Sequence, residues 1–532
     1  MNPMDRSLLL ALSLLTGVSQ SAWSQGPTSR ILILRTGKDT IAIERYTRTA
    51  TKIEGELLFK LAGQRWNYSA SVTADQVVTR LENQYRPATD AADQPPRQTA
   101  TLEFRDDSVI VVVGSGASQV VQRLASKHGA LPYINPSFAL MELVAARARL
   151  IGGDSVDIPV FLVSGGQTVP VLVKRRGADS VQFDIAGSMS RVALDRDGRI
   201  RGGVIPAQNL VLEIGTPTPG LMAVVKPDYA APAGAPYVAR EVKVPSMAGH
   251  ILAGTLTLPR DASESRKVAA IVTITGSGLE DRDEYISIVP GGYRPFRQVA
   301  DTLGRRGIAV LRMDDRGYGA STGNGATATS ADFAEDIRAG LAYLRSLPEI
   351  DENRLGLVGH SEGGLIAPMV AATDPALRGI VLLAGPAQTG RTILEYQNRY
   401  AIEHAPAYKP EKLDSLMRAA RRGIDSTASV QPWIRFFLDY DPLATAKKVS
   451  VPVLILQGAT DKQVTPEQAP ALEAAFKAGG NRDVTMKVFP RADHLFVEDA
   501  DGNPSGYAKL STAKVRSDVL GSLADWLVAH LR

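Results

Sequence analysis

The chain has 532 residues, which is more than one ordinary hydrophobic core serves, so two domains are expected. A hydrophobic content of 44% with 22% charged residues is typical of a folded chain and excludes long disorder. The net charge of +4 is small and its basic residues are interleaved with acidic ones, so no nucleic-acid partner is expected. The absence of cysteine excludes disulfides, thiolate metal sites and a cysteine nucleophile.

Residues 1–24 have the order of a secretory signal peptide. Arg6 precedes an apolar run at 8–15, and a small-residue stretch ends at Ser24. The run is too short to anchor the chain, and no later segment has the roughly 18 uninterrupted apolar residues of a membrane span. We therefore expect cleavage after Ser24, no stable membrane span, and a mature protein that is periplasmic or secreted.

Residues 25–215 predict a mainly antiparallel β domain. Short β-branched and aromatic runs alternate there with Gly, Asp and Lys turns. One helix interrupts them, with Asn135 as the expected N-cap, Pro136 at the first helical position and Gly152 closing the end. No repeat and no motif with a known chemistry occurs in this region.

A Pro/Ala/Gly-rich linker is expected at 216–236, and from Tyr237 the pattern changes. Over 237–532, short apolar runs alternate with amphipathic stretches such as 331–347. Near-continuous apolar strands separated by helices indicate a mostly parallel sheet covered on both faces. Ligands of such sheets bind at the carboxyl ends of the strands.

The pattern Gly-x-Ser-x-Gly occurs twice in this second region. The copy at 359–363 follows an apolar strand and runs into an apolar helix, which is the context of a nucleophile elbow. The copy at 319–323 runs into a polar loop instead. Ser361 is therefore the predicted nucleophile and Ser321 a loop residue. Such an elbow on a parallel sheet is the signature of the α/β-hydrolase fold.

The catalytic base and acid follow from chain order, which in this fold is serine, acid, histidine. Of six histidines, His494 follows the apolar run at 484–489 in a loop at a strand's carboxyl end, whereas the others lie too early, in the elbow or in helices. Asp461 follows another apolar strand and is the predicted acid. Asp493 is the competing candidate for the acid. It is less favoured because neighbouring side chains of an extended segment point to opposite sides, so Asp493 should point away from the side chain of His494.

The oxyanion hole requires two backbone donors. One is expected from Glu362, the residue after the nucleophile, and the other from the Gly-rich loop at 275–279. Ser277 is the favoured residue of that loop, with Gly278 as the alternative.

Four motifs taken together resemble a bacterial family of α/β-hydrolase serine esterases, the EstD-like carboxylesterases. They lie at 275–284, 315–323, 359–369 and 458–461. Their combination in order is far more specific than any one of them, and the resemblance runs from about Tyr237 to the C-terminus. It implies hydrolysis of a small-molecule carboxylic ester, no cofactor or metal, and a β-rich N-terminal domain. Thr275 departs from many relatives of the fold, which have histidine there.

The charged run at 281–284 (Asp-Arg-Asp-Glu) lies next to the predicted oxyanion loop. It either supports the loop through salt bridges, which we favour, or contacts substrate; without a nearby histidine, a transition-metal site is unsupported.

A helical cap insertion is expected at 388–448, and it contains several aromatic residues. These side chains either line the substrate pocket or form a small core of the insertion itself.

Two other functions compete with a carboxylesterase. One is a serine peptidase of the prolyl-oligopeptidase type, although the region before the hydrolase domain has no propeller repeats. The other is a cell-envelope binding protein whose hydrolase domain is inactive.

Overall fold

The computed structural model describes residues 29–532, except 38, 61–62, 91–93, 115–118, 178, 186–187, 207–209, 225–226, 326 and 406–407. The predicted signal peptide at 1–24 lies outside the described residues. None of the helices in the described part of the chain is long and apolar enough to cross a membrane.

The first region forms one 15-stranded sheet in the order β8-β7-β6-β5-β4-β3-β2-β1-β15-β14-β13-β12-β11-β10-β9. Neighbouring strands are antiparallel except β9 and β10, which are parallel. The strands are β1 (Arg30–Thr36), β2 (Asp39–Arg48), β3 (Lys52–Phe59), β4 (Gln64–Val72), β5 (Val78–Pro87), β6 (Gln98–Phe104), β7 (Ser108–Val113), β8 (Val120–Ala125), β9 (Leu131–Tyr133), β10 (Ser155–Leu162), β11 (Gln167–Arg175), β12 (Ser180–Ile185), β13 (Ser188–Leu194), β14 (Ile200–Ile205) and β15 (Leu210–Ile214).

Helix α1 (Phe138–Ile151) packs against this sheet. It contacts strands from both halves, including β2, β9, β10 and β14, and shares one hydrophobic core with them. Its N-cap is Ser137, whose side chain accepts a hydrogen bond from the N–H of Leu140. The predictions that Asn135 caps the helix and that Pro136 is its first residue are therefore wrong, because the helix begins at Phe138 and the residue directly before it, Ser137, supplies the cap. Gly152 ends the helix as predicted.

Buried carboxylates tie α1 to the sheet. Glu142 on the helix is fully buried and accepts hydrogen bonds from the Tyr46 hydroxyl at 2.5 Å and from the Ile200 N–H at 2.8 Å. Glu44 on β2 accepts from the N–H of Ala139, which is one of the unpaired donors of the first helical turn. These contacts orient the helix within an otherwise apolar core.

The second region forms an eight-stranded sheet in the order β16-β17-β19-β18-β20-β21-β22-β23, parallel from β19 onward. Its strands are β16 (Tyr237–Pro245), β17 (Ile251–Pro259), β18 (Val268–Ile274), β19 (Ala309–Met313), β20 (Ile350–His360), β21 (Gly379–Leu383), β22 (Val453–Gly458) and β23 (Val484–Phe489). Its helices are α2 (Pro295–Gly304), α3 (Ser330–Arg345), α4 (Glu362–Ala371), α5 (Gly390–Glu403), α6 (Leu413–Val430), α7 (Pro432–Asp439), α8 (Pro442–Ala446), α9 (Gln468–Ala478) and α10 (Ser517–His530), with short 3-10 helices at Pro410–Lys412 and Pro504–Lys509.

Helices cover both faces of this sheet. Residues of α3, α4 and α9 belong to one hydrophobic core, and residues of α2 and α10 belong to another on the opposite face. Helices α5 to α8 form the insertion between β21 and β22. The predicted fold class is confirmed: an α/β-hydrolase sheet with a helical insertion, preceded by a large antiparallel β domain.

Candidate active site

Ser361 lies on a strained turn between β20 and α4. Its φ is 52°, in the left-handed region that a side chain disfavours. A Cβ on Gly359 would lie 2.1 Å from the carbonyl oxygen of Gly363, and a Cβ on Gly363 would lie 2.1 Å from that of Ile274. Only glycine therefore allows strand and helix to approach this closely, and the turn projects Ser361 into a cavity of about 300 Å³.

His494 lines the same cavity as Ser361, and Asp461 holds its ring. His494 Nδ1 donates to Asp461 Oδ2 over 2.8 Å, which leaves Nε2 as the nitrogen that can accept a proton. The other carboxylate oxygen of Asp461 accepts from the N–H groups of Gln463 at 2.7 Å and Val464 at 3.0 Å. These donors fix the position of the carboxylate, which in turn orients the imidazole ring.

Asp493 does not contact the His494 ring through a hydrogen bond. Its Oδ1 accepts from the N–H groups of Leu495 at 3.0 Å and Val497 at 2.9 Å, so it caps the turn that carries the histidine. Burial raises the pKa of Asp493 to about 6. The structure thus brings Asp461 to the ring and assigns Asp493 to the local backbone.

His360, the residue before the nucleophile, is a buried second imidazole at the site. Its Nδ1 forms an ion pair with Glu284, and its Nε2 donates to the main-chain oxygen of His494 at 2.9 Å. Burial would lower the pKa of His360, but the charge and hydrogen bond of Glu284, with the carbonyl of His494, raise it overall. Both ring nitrogens therefore act as donors. The four remaining histidines do not line this cavity: His128, His250, His404 and His530.

The two residues predicted for the oxyanion hole also line the cavity. Ser277 follows β18, and a Cβ on its neighbour Gly276 would lie 3.5 Å from Ser361 Cβ, so this loop lies against the nucleophile. Glu362 begins α4, where backbone N–H groups and the helix dipole favour negative charge. The loop that carries Ser277 and the first residue of α4 therefore both lie near Ser361, and their roles as oxyanion donors stay a prediction.

The Glu362 side chain is fixed in the wall of the cavity. Its Oε1 accepts from Ser330 Oγ at 2.6 Å and from Trp433 Nε1 at 2.8 Å. Burial raises the pKa of this carboxyl, and hydrogen bonds from Ser330, Trp433 and Ser277 oppose the rise. The bond to Trp433 connects the helical insertion to the elbow.

Ser321, the serine of the second Gly-x-Ser-x-Gly copy, is fully buried away from the cavity. Its hydroxyl donates to the main-chain oxygen of Asp314 at 2.7 Å and accepts from the N–H of Ala253 at 2.9 Å. It therefore connects a loop to strand β17.

The charged run at 281–284 divides between two roles. Arg282 bonds both oxygens of Asp314 at 2.9 Å, and Asp283 pairs with Arg312, so these residues support the loop. Glu284 instead lines the cavity, which agrees with the alternative that the sequence analysis did not favour. Its position after a strand-end loop was the available signal. Among the described residues, no group of three His, Cys, Asp or Glu side chains is arranged to hold a metal ion.

The aromatic residues of the insertion also divide. Trp433 stacks on Phe437 with ring centroids 5.4 Å apart, and both line the cavity. Phe436 stacks on Tyr440 outside the cavity lining. Trp433 and Phe437 therefore line the pocket, as the first alternative states, and Phe437 also belongs to the hydrophobic core of the hydrolase sheet.

Comparisons with known proteins found one matching family model and several similar proteins. The model of the alpha/beta hydrolase family matches residues 288–506. The chain is 26% identical over 356 residues to the esterase EstD of Thermotoga maritima, covering 66% of this chain and 78% of that protein. It is 27% identical over 268 residues to the dipeptidyl aminopeptidase BIII of Pseudoxanthomonas mexicana, covering 48% of this chain and 35% of that protein. The solved structure of the Pyrococcus furiosus esterase Pf2001 is similar with a TM-score of 0.40 and 17% identity, covering 58% of this chain and 96% of that one.

The chain has the α/β-hydrolase fold, and the alpha/beta hydrolase family model, which matches part of the chain, agrees with the fold and with the elbow. The chain is a hydrolase of the carboxylesterase type, and its similarity to the esterase EstD agrees with the resemblance that its sequence motifs indicated.

Proposed function

We propose that this chain hydrolyses carboxylic esters through an acyl-enzyme on Ser361, with His494 as base and Asp461 as the acid that orients it. One observation supports the proposal: His494, which is hydrogen-bonded to Asp461 over 2.8 Å, lines the same cavity as Ser361. That arrangement supplies a nucleophile, a base and an orienting carboxylate in the order typical of the fold.

The reaction has two halves. His494 Nε2 takes the proton of Ser361 as its oxygen attacks the ester carbonyl, and the backbone N–H groups of Ser277 and Glu362 stabilise the oxyanion. Collapse of this intermediate breaks the bond to the alcohol oxygen, which receives the proton from His494. Water then attacks the acyl-enzyme by the same route and releases the carboxylic acid, so no cofactor is required.

The apolar wall of the cavity favours a substrate with a hydrophobic portion. Trp433 and Phe437 from the insertion lie on one side, with Leu394 from α5 beside them. Burial of a hydrocarbon group there contributes roughly 25 cal/mol per Å² removed from water. Esters of medium-sized acids or alcohols are therefore the favoured substrates.

The test compares alanine variants of the two serines in the Gly-x-Ser-x-Gly copies. Wild type and Ser321→Ala should react with a fluorophosphonate probe and hydrolyse p-nitrophenyl esters, whereas Ser361→Ala should do neither, with kcat reduced about 10⁶-fold. Labelling that persists in Ser361→Ala would refute the nucleophile. Failure of wild type to label would instead favour the cell-envelope binding protein.

A peptidase reaction is the second candidate, because one relative is named a dipeptidyl aminopeptidase. Aminoacyl-arylamides tested beside the corresponding esters separate the two reactions. We expect the esters to have the higher kcat/KM, since an amide has the poorer leaving group; the reverse order would make the chain a peptidase.

We also propose that the enzyme is exported and acts in the periplasm or outside the cell. The n-region, apolar run and small-residue stretch of 1–24 support this proposal. N-terminal sequencing of the mature protein should begin at Gln25; a cytoplasmic protein that retains Met1 would contradict it.

A further inference from the structure

Two glutamates that the proposed reaction does not use lie beside the nucleophile. A Cβ built on Gly276 would be 3.4 Å from Glu284 Oε1, 3.9 Å from Glu280 Oε2 and 3.5 Å from Ser361 Cβ. Both glutamates line the cavity. The two carboxyl groups and the serine therefore surround one point, and whatever the glutamates bind lies close to the carbonyl that Ser361 attacks.

Each glutamate presents an oxygen that has no hydrogen-bond partner among the described residues. Glu284 is 2% exposed, and its Oε2 is buried and unpartnered although Oε1 is paired with His360. Oε2 of Glu280 is also buried and unpartnered. Buried oxygens of this kind destabilise a protein unless a ligand supplies the donors, so they indicate a site that a donor-rich group completes.

The part of the cavity wall that Glu280 and Glu284 form also has more acidic groups than cationic ones. None of the described residues that line the cavity is a lysine or an arginine. His360 can balance Glu284, which leaves Glu280 without a cationic partner in the cavity. Burial raises the pKa of Glu280 well above its ordinary range, and the charge of Glu284 raises it further. A cation bound between the two carboxyl groups would remove this repulsion.

We propose that Glu280 and Glu284 form a subsite for an ammonium group adjacent to the scissile ester, so that α-amino acyl esters are substrates. A primary ammonium has three donors, enough for both unpartnered oxygens. The closeness of the glutamates to Ser361 requires a cation next to the carbonyl rather than at the end of a long chain. The apolar wall at Trp433 and Phe437 then receives the side chain of the amino acid. The inference rests on the proposed function, because it takes Ser361 as the attacking group.

The test measures binding without turnover. Ser361→Ala is titrated calorimetrically with L-leucine methyl ester and with the neutral methyl ester in which a methyl group replaces the ammonium. We expect the ammonium ester to bind about tenfold or more tightly, and Glu280→Gln in the same background to reduce that ratio about tenfold. Glu264→Gln, a change at an exposed glutamate outside the cavity, is the matched control and should preserve the ratio.

Equal binding of the two esters to Ser361→Ala would overturn the subsite, and so would a preference that Glu280→Gln leaves intact. Either result would mean that the two glutamates share a proton instead of binding a cation. If Glu280→Gln does not fold, the ratio of the two binding constants in Ser361→Ala alone still tests whether the cavity prefers the ammonium ester. Fluorophosphonate labelling of wild type reports separately on the proposed function, so loss of labelling with a retained ammonium preference would refute the hydrolase and keep the subsite.

Discussion

His360 Nε2 donates a hydrogen bond of 2.9 Å to the main-chain oxygen of His494. The residue before the nucleophile therefore holds the backbone of the residue that is proposed to activate it. Their rings lie 4.9 Å apart, and Glu284 anchors the other nitrogen of His360. The side chains of Glu284 and His360 thus connect the strand-end loop after β18 to the backbone of the histidine loop after β23.

His360→Gln should lower kcat about a hundredfold, because a small displacement of the His494 loop misplaces the base. The pH profile of stability gives a second readout. Since the pKa of His360 is raised in the fold, the pair contributes fully below the ordinary histidine range and is lost as pH rises through the raised pKa. Wild type should therefore lose free energy of unfolding over that range more steeply than His360→Gln.

The double variant His360→Gln with Glu284→Gln controls for an unpaired buried carboxylate. The double variant should recover much of the stability that His360→Gln loses, because no buried charge is left unpaired. Its kcat should stay as low as that of His360→Gln. A double variant with wild-type kcat would show that His360 does not position the base.

Asp461→Asn should reduce kcat about 10⁴-fold, since the amide no longer fixes the ring tautomer or stabilises the imidazolium. The matched variant is Asp493→Asn, which retains the oxygen that accepts from Leu495 and Val497. It should keep kcat near wild type. Steady-state kinetics on one neutral ester compares the two variants. A larger loss of kcat in Asp493→Asn would mean that Asp493, and not Asp461, is the acid of the triad.

Ser321→Ala should destabilise the fold without removing catalysis. The change removes the hydroxyl that bonds both the buried N–H of Ala253 and the main-chain oxygen of Asp314. The free energy of unfolding should fall by about 1–3 kcal/mol. Urea denaturation measures the loss, and ester hydrolysis by the folded variant is the companion measurement. Unchanged stability would mean that other groups replace both hydrogen bonds.

Ser361→Gly should be more stable than Ser361→Ala by about 1 kcal/mol. Glycine adopts the positive φ of 52° without steric cost, whereas alanine retains the strained Cβ. Neither variant carries the hydroxyl, so the comparison isolates backbone strain. Thermal unfolding of the two proteins measures it, and equal midpoints would show that the turn is not strained.

Arg97 connects the β domain to the hydrolase domain, donating to the main-chain oxygens of Ser321 at 2.6 Å and Gly319 at 2.7 Å. Arg97→Ala should cost about 1–3 kcal/mol in the free energy of unfolding, because two charge-assisted bonds are lost. Arg105→Ala, whose salt bridge with Glu103 is exposed, should change it by about 0.5 kcal/mol or less. Equal effects would mean that Arg97 contributes no more than a surface ion pair.

Local sequence determined the elements that the site requires. The apolar runs before Ser361, Asp461 and His494 predicted strands, and parallel strands bring their carboxyl ends to one edge of a sheet. The same local context distinguished the elbow at 359–363 from the loop at 319–323. These features follow from short-range sterics and from hydrophobic periodicity, both of which can be read along the chain.

Only the tertiary structure decided which long side chains face the cavity. Glu284 turns inward while Asp283 and Arg282 of the same run form ion pairs elsewhere, and Trp433 lines the cavity whereas Phe436 does not. The packing of α1 against strands from both halves of the β sheet, with Ser137 as its cap, was equally inaccessible to sequence patterns. The physical reason is that partners far apart in the chain, such as His360 and His494 at a separation of 134 residues, meet only after the sheet has assembled.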